Sequence, residues 1–431
     1  MSIEFTLCLL SLFLLAGIGA PIAYSIILAS LVYLALGGQD LALTAEQILQ
    51  GLYESFILLA VPLFIVAANI MNAGTISERL LNVCIAAVGR FRGGLGHVNI
   101  VASLIFSGMS GSAVADAAGI GKIIIGMMTK DGRYPPGYAA AITAASATIG
   151  PVIPPSIPMV LYALVSNTSI GYLFLGGILP GLAMGLVLMA MNVHLSTKRG
   201  FALEDAIPLR QLPRHTFAAF PALLMPAILL YGIYGGVTTP TEAAAVAAAY
   251  ALILAGLFYR SLSFRTLYRI LADSVRSSAS VGLVIGGALI LNYIVASENI
   301  PTTMAGALVG LDVAPVVFMI GVNMLLLLLG CVLDATTIIL VIIPLFIPTC
   351  RELGIDLVYF GVIAVVNCMV GLITPPYGIL LFVINAVTQI SLREMIAEIW
   401  PFLAVLVLAV LAMILVPDVI LWLPRVFGYP G

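Results

Sequence analysis

Two short stretches decide how this chain folds: Gly150-Pro-Val-Ile-Pro-Pro155 and Gly371-Leu-Ile-Thr-Pro-Pro376. Each is a Gly-x-x-x-Pro-Pro unit inside apolar sequence. Proline lacks an amide donor and clashes with the preceding turn, so an adjacent pair opens a helix and strips the local carbonyls of their partners. A displacement of 221 residues superposes the two units and also carries Tyr138 onto Tyr359 and Pro180 onto Pro401. The chain therefore reads as two copies of one plan, residues 1–215 and 216–431, each interrupted at the same place.

The sequence around these units requires lipid as solvent. Of 431 residues, 62% are hydrophobic and 8% charged, too few polar groups to coat a water-soluble body of this size. Apolar runs such as 3–36, 217–259 and 400–423 reach or exceed the roughly 20 residues that cross a bilayer as helix. The alternating pattern of a membrane β-barrel is absent, so the expected class is an all-α polytopic membrane protein. Glu4 and the length of the first apolar run argue for a retained span rather than a cleaved leader. Five scattered cysteines, Cys8, Cys84, Cys331, Cys350 and Cys368, show no metal or redox spacing and read as small hydrophobes.

Positive charge sets the threading. Arg90 and Arg92, Lys130 and Arg133, the 198–214 loop, the 260–276 segment and Arg393 are expected in the cytoplasm. Asp40, Glu46, Glu54, Glu298, Asp312, Glu352 and Asp356 mark the outside. Spans are expected over 3–18, 21–36, 56–89, 170–194, 217–234, 240–259, 278–311 and 395–423, with an external arm over 43–55 and a separate cytoplasmic arm over 260–276. Both termini then face the periplasm. Residues 97–128 are flanked at both ends by basic clusters, so a single crossing breaks the charge rule and a re-entrant hairpin with its tip at Ser107–Ser112 satisfies it. A second hairpin is expected over 313–350. The two interrupted helices fall at about 138–165 and 358–387. An odd number of crossings between the copies makes the repeat inverted.

Matching broken helices in two halves point to a shared substrate and ion site. Sodium wants several hard oxygens, which unwound carbonyls and hydroxyls supply. In the first half Ser107, Ser110 and Ser112 are set to face carbonyls at Gly150 and Val152. In the second, Gly330, Asp334, Thr336 and Thr337 are set to face Gly371, Leu372 and Thr374. The substrate is expected against Ser110, Ser112, Pro154, Ser156, Asp334 and Pro375. Asp334 is the most telling acid, because a carboxylate in an apolar run demands a cation or a wet cavity; its alternative role is to cap a short helix. Asp116 and Lys122, six residues apart, read either as a local ion pair or as substrate contacts. Glu242 suits the first turn of a helix. His97, His194 and His215, with Tyr162, Tyr172 and both tryptophans, read as interfacial, while Asn167, Asn367 and Asn385 are open between anion and helix contacts. Short helices aimed at the centre favour a carboxylate ligand.

The stretches Ser-Gly-Ser-Ala-Val-Ala-Asp at 110–116, Thr-Ile-Gly-Pro-Val-Ile-Pro-Pro-Ser at 148–156, Thr-Pro-Thr-Glu-Ala-Ala-Ala at 239–245 and Gly-Leu-Ile-Thr-Pro-Pro-Tyr-Gly at 371–378 resemble the large, DctM-like permease subunit of tripartite ATP-independent periplasmic (TRAP) transporters. The resemblance covers essentially the whole chain. It implies an elevator-type carrier in the bacterial inner membrane for C4-dicarboxylates, keto acids or sialic acid, with Na+ as coupling ion and no organic cofactor. It also implies a small four-helix membrane subunit (DctQ-like) as a separate chain, and a periplasmic substrate-binding protein (DctP-like). The alternative is an ion-coupled organic-anion symporter that works without a binding protein. A membrane enzyme would need a nucleophile with its base, a His-Glu metal motif or a Gly-rich nucleotide loop, and none is found. A channel leaves the repeat without a role.

Overall fold

The computed structural model describes residues 2–72, 75–201, 203, 208–310 and 313–431. Asp312 and part of the basic loop, residues 202 and 204–207, lie outside them. All regular structure among the described residues is helical. In chain order the first half holds α1 (Ile3–Gly17), α2 (Ile22–Leu36), α3 (Ala42–Glu54), α4 (Ala60–Met71), α5 (Thr75–Val88), α6 (Gly94–Ser110), α7 (Ala113–Asp116), α8 (Lys122–Thr129), α9 (Pro136–Ala147), α10 (Ile157–Ser166) and α11 (Ile170–Arg199). The second holds α12 (Leu212–Tyr234), α13 (Pro240–Ile253), α14 (Phe264–Ser297), α15 (Ile300–Gly310), α16 (Pro315–Gly330), α17 (Ala335–Thr337), α18 (Ile347–Glu352), α19 (Leu357–Gly371), α20 (Ile379–Thr388), α21 (Leu392–Leu415) and α22 (Asp418–Val426).

Five of the described helices are long and apolar enough to cross a bilayer unbroken: α11, α12, α13 with its continuation to Phe258, α14 and α21. The interrupted pairs α9–α10 and α19–α20 fail that test because each is opened by its diproline. Both Pro-Pro peptide bonds, Pro154–Pro155 and Pro375–Pro376, are cis. The first arms of these pairs form the centre of the molecule: every residue from Gly137 to Ala147 and from Val358 to Gly371 is buried. They are lined by Ala, Gly, Val and Thr, which let neighbouring backbones approach closely. A Cβ on Gly361, for example, would collide with the ring of Tyr162.

Residues 97–128 and 313–350 each form a helix–turn–helix unit. α6 reverses at Gly111, whose positive φ of 56° suits glycine, and returns through α7, a π-helical turn at Ala117–Gly121 and α8. α16 reverses at Cys331–Leu333 and returns through α17 and a π-helical turn at Ile338–Ile342. A displacement of 221 residues carries one π-turn onto the other. Packing follows the same register: α6 lies on α9 as α16 lies on α19, and α9 meets α21 as α19 meets α11.

Three expected spans are redrawn. The 56–89 span is two helices, α4 and α5. The 260–276 arm is no separate element: α14 runs without a break from Phe264 to Ser297, because no proline interrupts it, and stops only where Asn299 takes a left-handed φ of 54°. Its counterpart in the first half is bent, since α3 and the 56–71 segment meet at 75° across Ser55. The last span ends at Leu415, ahead of Pro417, and α22 turns back to pack on α11. Tyr162 and His97 are core residues rather than interfacial ones; the Tyr162 hydroxyl donates to the Leu357 carbonyl. Trp400 and Trp422 are exposed, and all five cysteines are free and buried.

A polar cavity between the two hairpin tips

Each hairpin tip rests on the opened helix that follows it. Gly111 lies so close to the Pro155 carbonyl that a side chain there would clash. In the second half a Cβ on Gly330 would stand 3.0 Å from the Gly371 Cα, and the Gly378 amide donates to the Cys331 carbonyl at 3.3 Å. Glycine is required at these points because two backbones touch.

The two tips then face each other across a cavity of about 430 Å³. Its first-half wall is Ser110, Gly111, Ser112 and Ala113–Ala115 of α7; its second-half wall is Asp334, Ala335 and Thr336; Pro151, Leu372 and the first residues of α10 and α20 close it. Among the described residues Asp334 is the only ionisable one that lines it, and no Lys, Arg or His does. The Asp334 carboxylate also caps α17, accepting from the Thr337 hydroxyl at 2.5 Å and from the Thr337 amide at 3.2 Å. Both roles weighed for this acid are thus physically compatible. The Ser110 hydroxyl is buried with no protein partner, whereas Ser112 caps α7 by accepting from the Ala115 amide at 3.3 Å.

Of the other expected site residues, Leu372 lines the cavity and the rest stand behind it. Ser107 donates to the Leu104 carbonyl at 2.6 Å and Thr374 to the Val370 carbonyl at 3.0 Å. Ser156 caps α10 and donates to the Pro151 carbonyl. Gly150, Val152, Pro154, Gly330, Thr337, Gly371 and Pro375 shape the two openings without lining the cavity. Asn367 and Asn385 spend their amides on the Asn323 and Ile390 carbonyls, and Asn167 ends α10 in a left-handed conformation. None of the three lines the cavity. Asp116 and Lys122 are not a pair: Asp116 is buried and Lys122 exposed. Glu242 closes a capping box with Thr239.

Two polar lining residues escaped the sequence reading. Asn69 on α4 and Ser277 on α14 come from helices outside both motifs. The Asn69 amide donates to Ser274 at 2.8 Å, one turn from Ser277. Lone polar residues in apolar helices carry no spacing signal; only the close packing of α4 on α14 brings them together.

A multi-pass helical membrane protein whose hairpins and interrupted helices close on one central cavity has the architecture of a transporter. The comparisons agree. Residues 9–419 match the model of the tripartite ATP-independent periplasmic transporter, DctM component. The sialic acid TRAP transporter large permease protein SiaM of Vibrio cholerae is 40% identical over 95% of this chain and 96% of its own length. The C4-dicarboxylate TRAP transporter large permease protein DctM of Pseudomonas aeruginosa is 37% identical over 87% and 88%. The sialic acid TRAP transporter permease protein SiaT of Haemophilus influenzae is 36% identical over 95% of this chain but only 66% of that longer protein. The YdaH transporter of Alcanivorax borkumensis shares the fold, with a TM-score of 0.57 at 18% identity over 85% of this chain and 88% of its own. The chain belongs to the DctM family of TRAP transporter large permeases.

Proposed function

We propose that this protein is a sodium-coupled permease that carries a small organic acid of the C4-dicarboxylate, keto acid or sialic acid class across the bacterial inner membrane by an elevator movement. The charge of the central cavity carries this reading. An organic anion placed there meets one carboxylate, Asp334, and no cationic side chain. Two like charges in a low-dielectric site repel strongly. The missing positive charge must come with the substrate, and a sodium ion held by Asp334, Thr336 and Ser110 supplies it. The amino-terminal ends of α10 and α20 meet the same cavity and add partial positive charge. The sialic acid and C4-dicarboxylate relatives support the substrate class.

The two halves act as inverted repeats. The recurrence of hairpin, π-turn and opened helix at one displacement supports this, as does the reciprocal packing of α9 on α21 and α19 on α11. The hairpins and opened helices form the moving part that holds the cavity, and α4 and α14 supply a fixed wall with Asn69 and Ser277. A small DctQ-like membrane subunit completes the permease, a role the extra third of the longer sialic acid relative suits. A DctP-like periplasmic protein delivers the solute, and both termini face the periplasm.

Liposome uptake tests the proposal. With the small subunit and binding protein present, radiolabelled organic acid should accumulate only under an inward sodium gradient. Accumulation without sodium overturns the coupling. Uptake that persists when the binding protein is omitted favours the stand-alone symporter.

A further inference from the structure

The basic end of α11 lies between two apolar grooves. One, of about 470 Å³, separates it from α21, with Val187, Met191 and His194 on one side and Val405 and Leu408 on the other. The second, of about 340 Å³, lies on the other flank, where Met189 and Val193 face Phe91, Arg92 and His97. Ala190 lines both grooves, so they part around an exposed ridge that continues through Leu186 and Leu182. The turn that carries Arg92 is held against α11: the Asn192 amide donates to the Gly93 carbonyl at 3.1 Å, and a side chain on Gly96 would collide with Asn192.

Most charges at this end are spent. Arg199 forms a two-point ion pair with Glu398, at 3.0 and 2.7 Å, Glu394 accepts from the Ser391 hydroxyl, and Arg90 donates to the Ala87 carbonyl and lies over the Phe91 ring. Arg92 and Lys198 are exposed and belong to no ion pair among the described residues. Lys198 follows His194 by one turn on the same face of α11, so each groove ends in one uncommitted cation. His97 lacks a partner too: it is 2% exposed and neither ring nitrogen makes a hydrogen bond, the nearby Arg92 carbonyl included. A buried polar group left without a protein partner marks the place of a ligand or of water.

We propose that this end of α11 binds one anionic phospholipid, its phosphate between Arg92 and Lys198 and one acyl chain in each groove. Apolar troughs take acyl chains, and a guanidinium with an ammonium takes a phosphate. His97 meets the headgroup directly or through water. A free phosphate leaves both grooves unfilled, and a partner helix needs one continuous trough rather than two that part around a ridge. The uncommitted cations also lie at the end expected in the cytoplasm, where the leaflet carries anionic lipid. Because residues 89–93 join α5 to the first hairpin, the bound lipid clamps the base of that hairpin to α11.

Native mass spectrometry of the purified full-length chain, with phosphatidylglycerol and phosphatidylcholine of equal chain length offered separately, reads the site without any transport. One phosphatidylglycerol should stay bound per chain, roughly tenfold or more tighter than phosphatidylcholine. Arg92→Gln and Lys198→Gln should each weaken it about fivefold, while Arg265→Gln, which removes an exposed cation from α14, should leave it unchanged. Ala190→Phe fills the floor common to both grooves and should weaken retention with every cation in place. All these positions are exposed, so the variants leave the core intact. Equal retention of the two lipids shows an unselective annulus and overturns the proposal, as does an equal loss in Arg265→Gln. Retention unchanged in both Arg92→Gln and Lys198→Gln overturns it as well. Unchanged retention in Ala190→Phe, with inorganic phosphate displacing the lipid, shows a free-anion site and refutes the lipid.

Discussion

At the scale of single residues the cavity depends on how few charges it contains. Asp334 both caps α17 and faces the cavity, and conservative variants separate the two roles. Asparagine is as good a cap as aspartate but carries no charge. Asp334→Asn should therefore keep the fold and raise the sodium concentration for half-maximal uptake about tenfold, roughly 1.4 kcal/mol. Asp334→Ala should add a loss of about 1 kcal/mol in stability from the missing cap, read as a lower melting temperature. Equal sodium curves for Asp334→Asn and wild type would remove this residue from the ion site. Ser110, Ser112, Asp334 and Thr336 were legible because hydroxyls and an acid in apolar sequence beside a helix break have few other uses. Thr374, expected among the oxygens of the second half, stands behind the cavity with its hydroxyl donating to the Val370 carbonyl four residues back.

At the scale of elements, the diprolines identified both opened helices, since no other arrangement accommodates two missing donors in a span. The first hairpin followed from basic residues on both flanks, and the second from the repeat. Charge misled at α14, where a basic cluster looked like the end of an arm although the helix continues, and an apolar run concealed the turn at Pro417 that precedes α22. The contact of hairpin tip with opened helix gives a second prediction. Gly371→Ala places a Cβ 2.7 Å from the Gly330 Cα, so one backbone must shift. A loss of about 1–3 kcal/mol is expected, and a melting temperature equal to wild type would show that the tip does not rest there. A third concerns the hinge between α14 and α15. The Ser2 hydroxyl, the Ser2 amide and the Tyr33 hydroxyl hold the Glu298 carboxyl below the usual glutamate range. A depressed value in the folded state means that the stabilisation is complete above the ordinary glutamate pKa of about 4.3 and fades as pH falls through the lower folded value. Glu298→Gln should melt slightly below wild type at neutral pH and converge with it in acid; a gap that widens in acid would contradict the assignment.

At the scale of the whole molecule, a central body of hairpins and opened helices packs against α4 and α14, and the cavity lies where they meet. The repeat was legible because five residues recur at one displacement. What the sequence did not display was the asymmetry between the halves: α3 and the following segment bend by 75° where α14 is continuous, a difference set by a single serine whose dihedrals leave the helical region. Nor did it display the part that α4 and α14 take in the cavity, since Asn69 and Ser277 meet the hairpins only through tertiary packing.

The most direct test of the central claim, that both hairpin tips line one ligand cavity, is protection of introduced cysteines from a thiol reagent, since all five native cysteines are buried. Ala115→Cys and Thr336→Cys, one on each wall, should each be labelled more slowly when sodium and the organic acid are both present, while Thr238→Cys, beside a separate opening between α12 and α13, should be labelled at an unchanged rate. Protection of only one wall, or equal slowing at all three positions, would contradict a shared cavity.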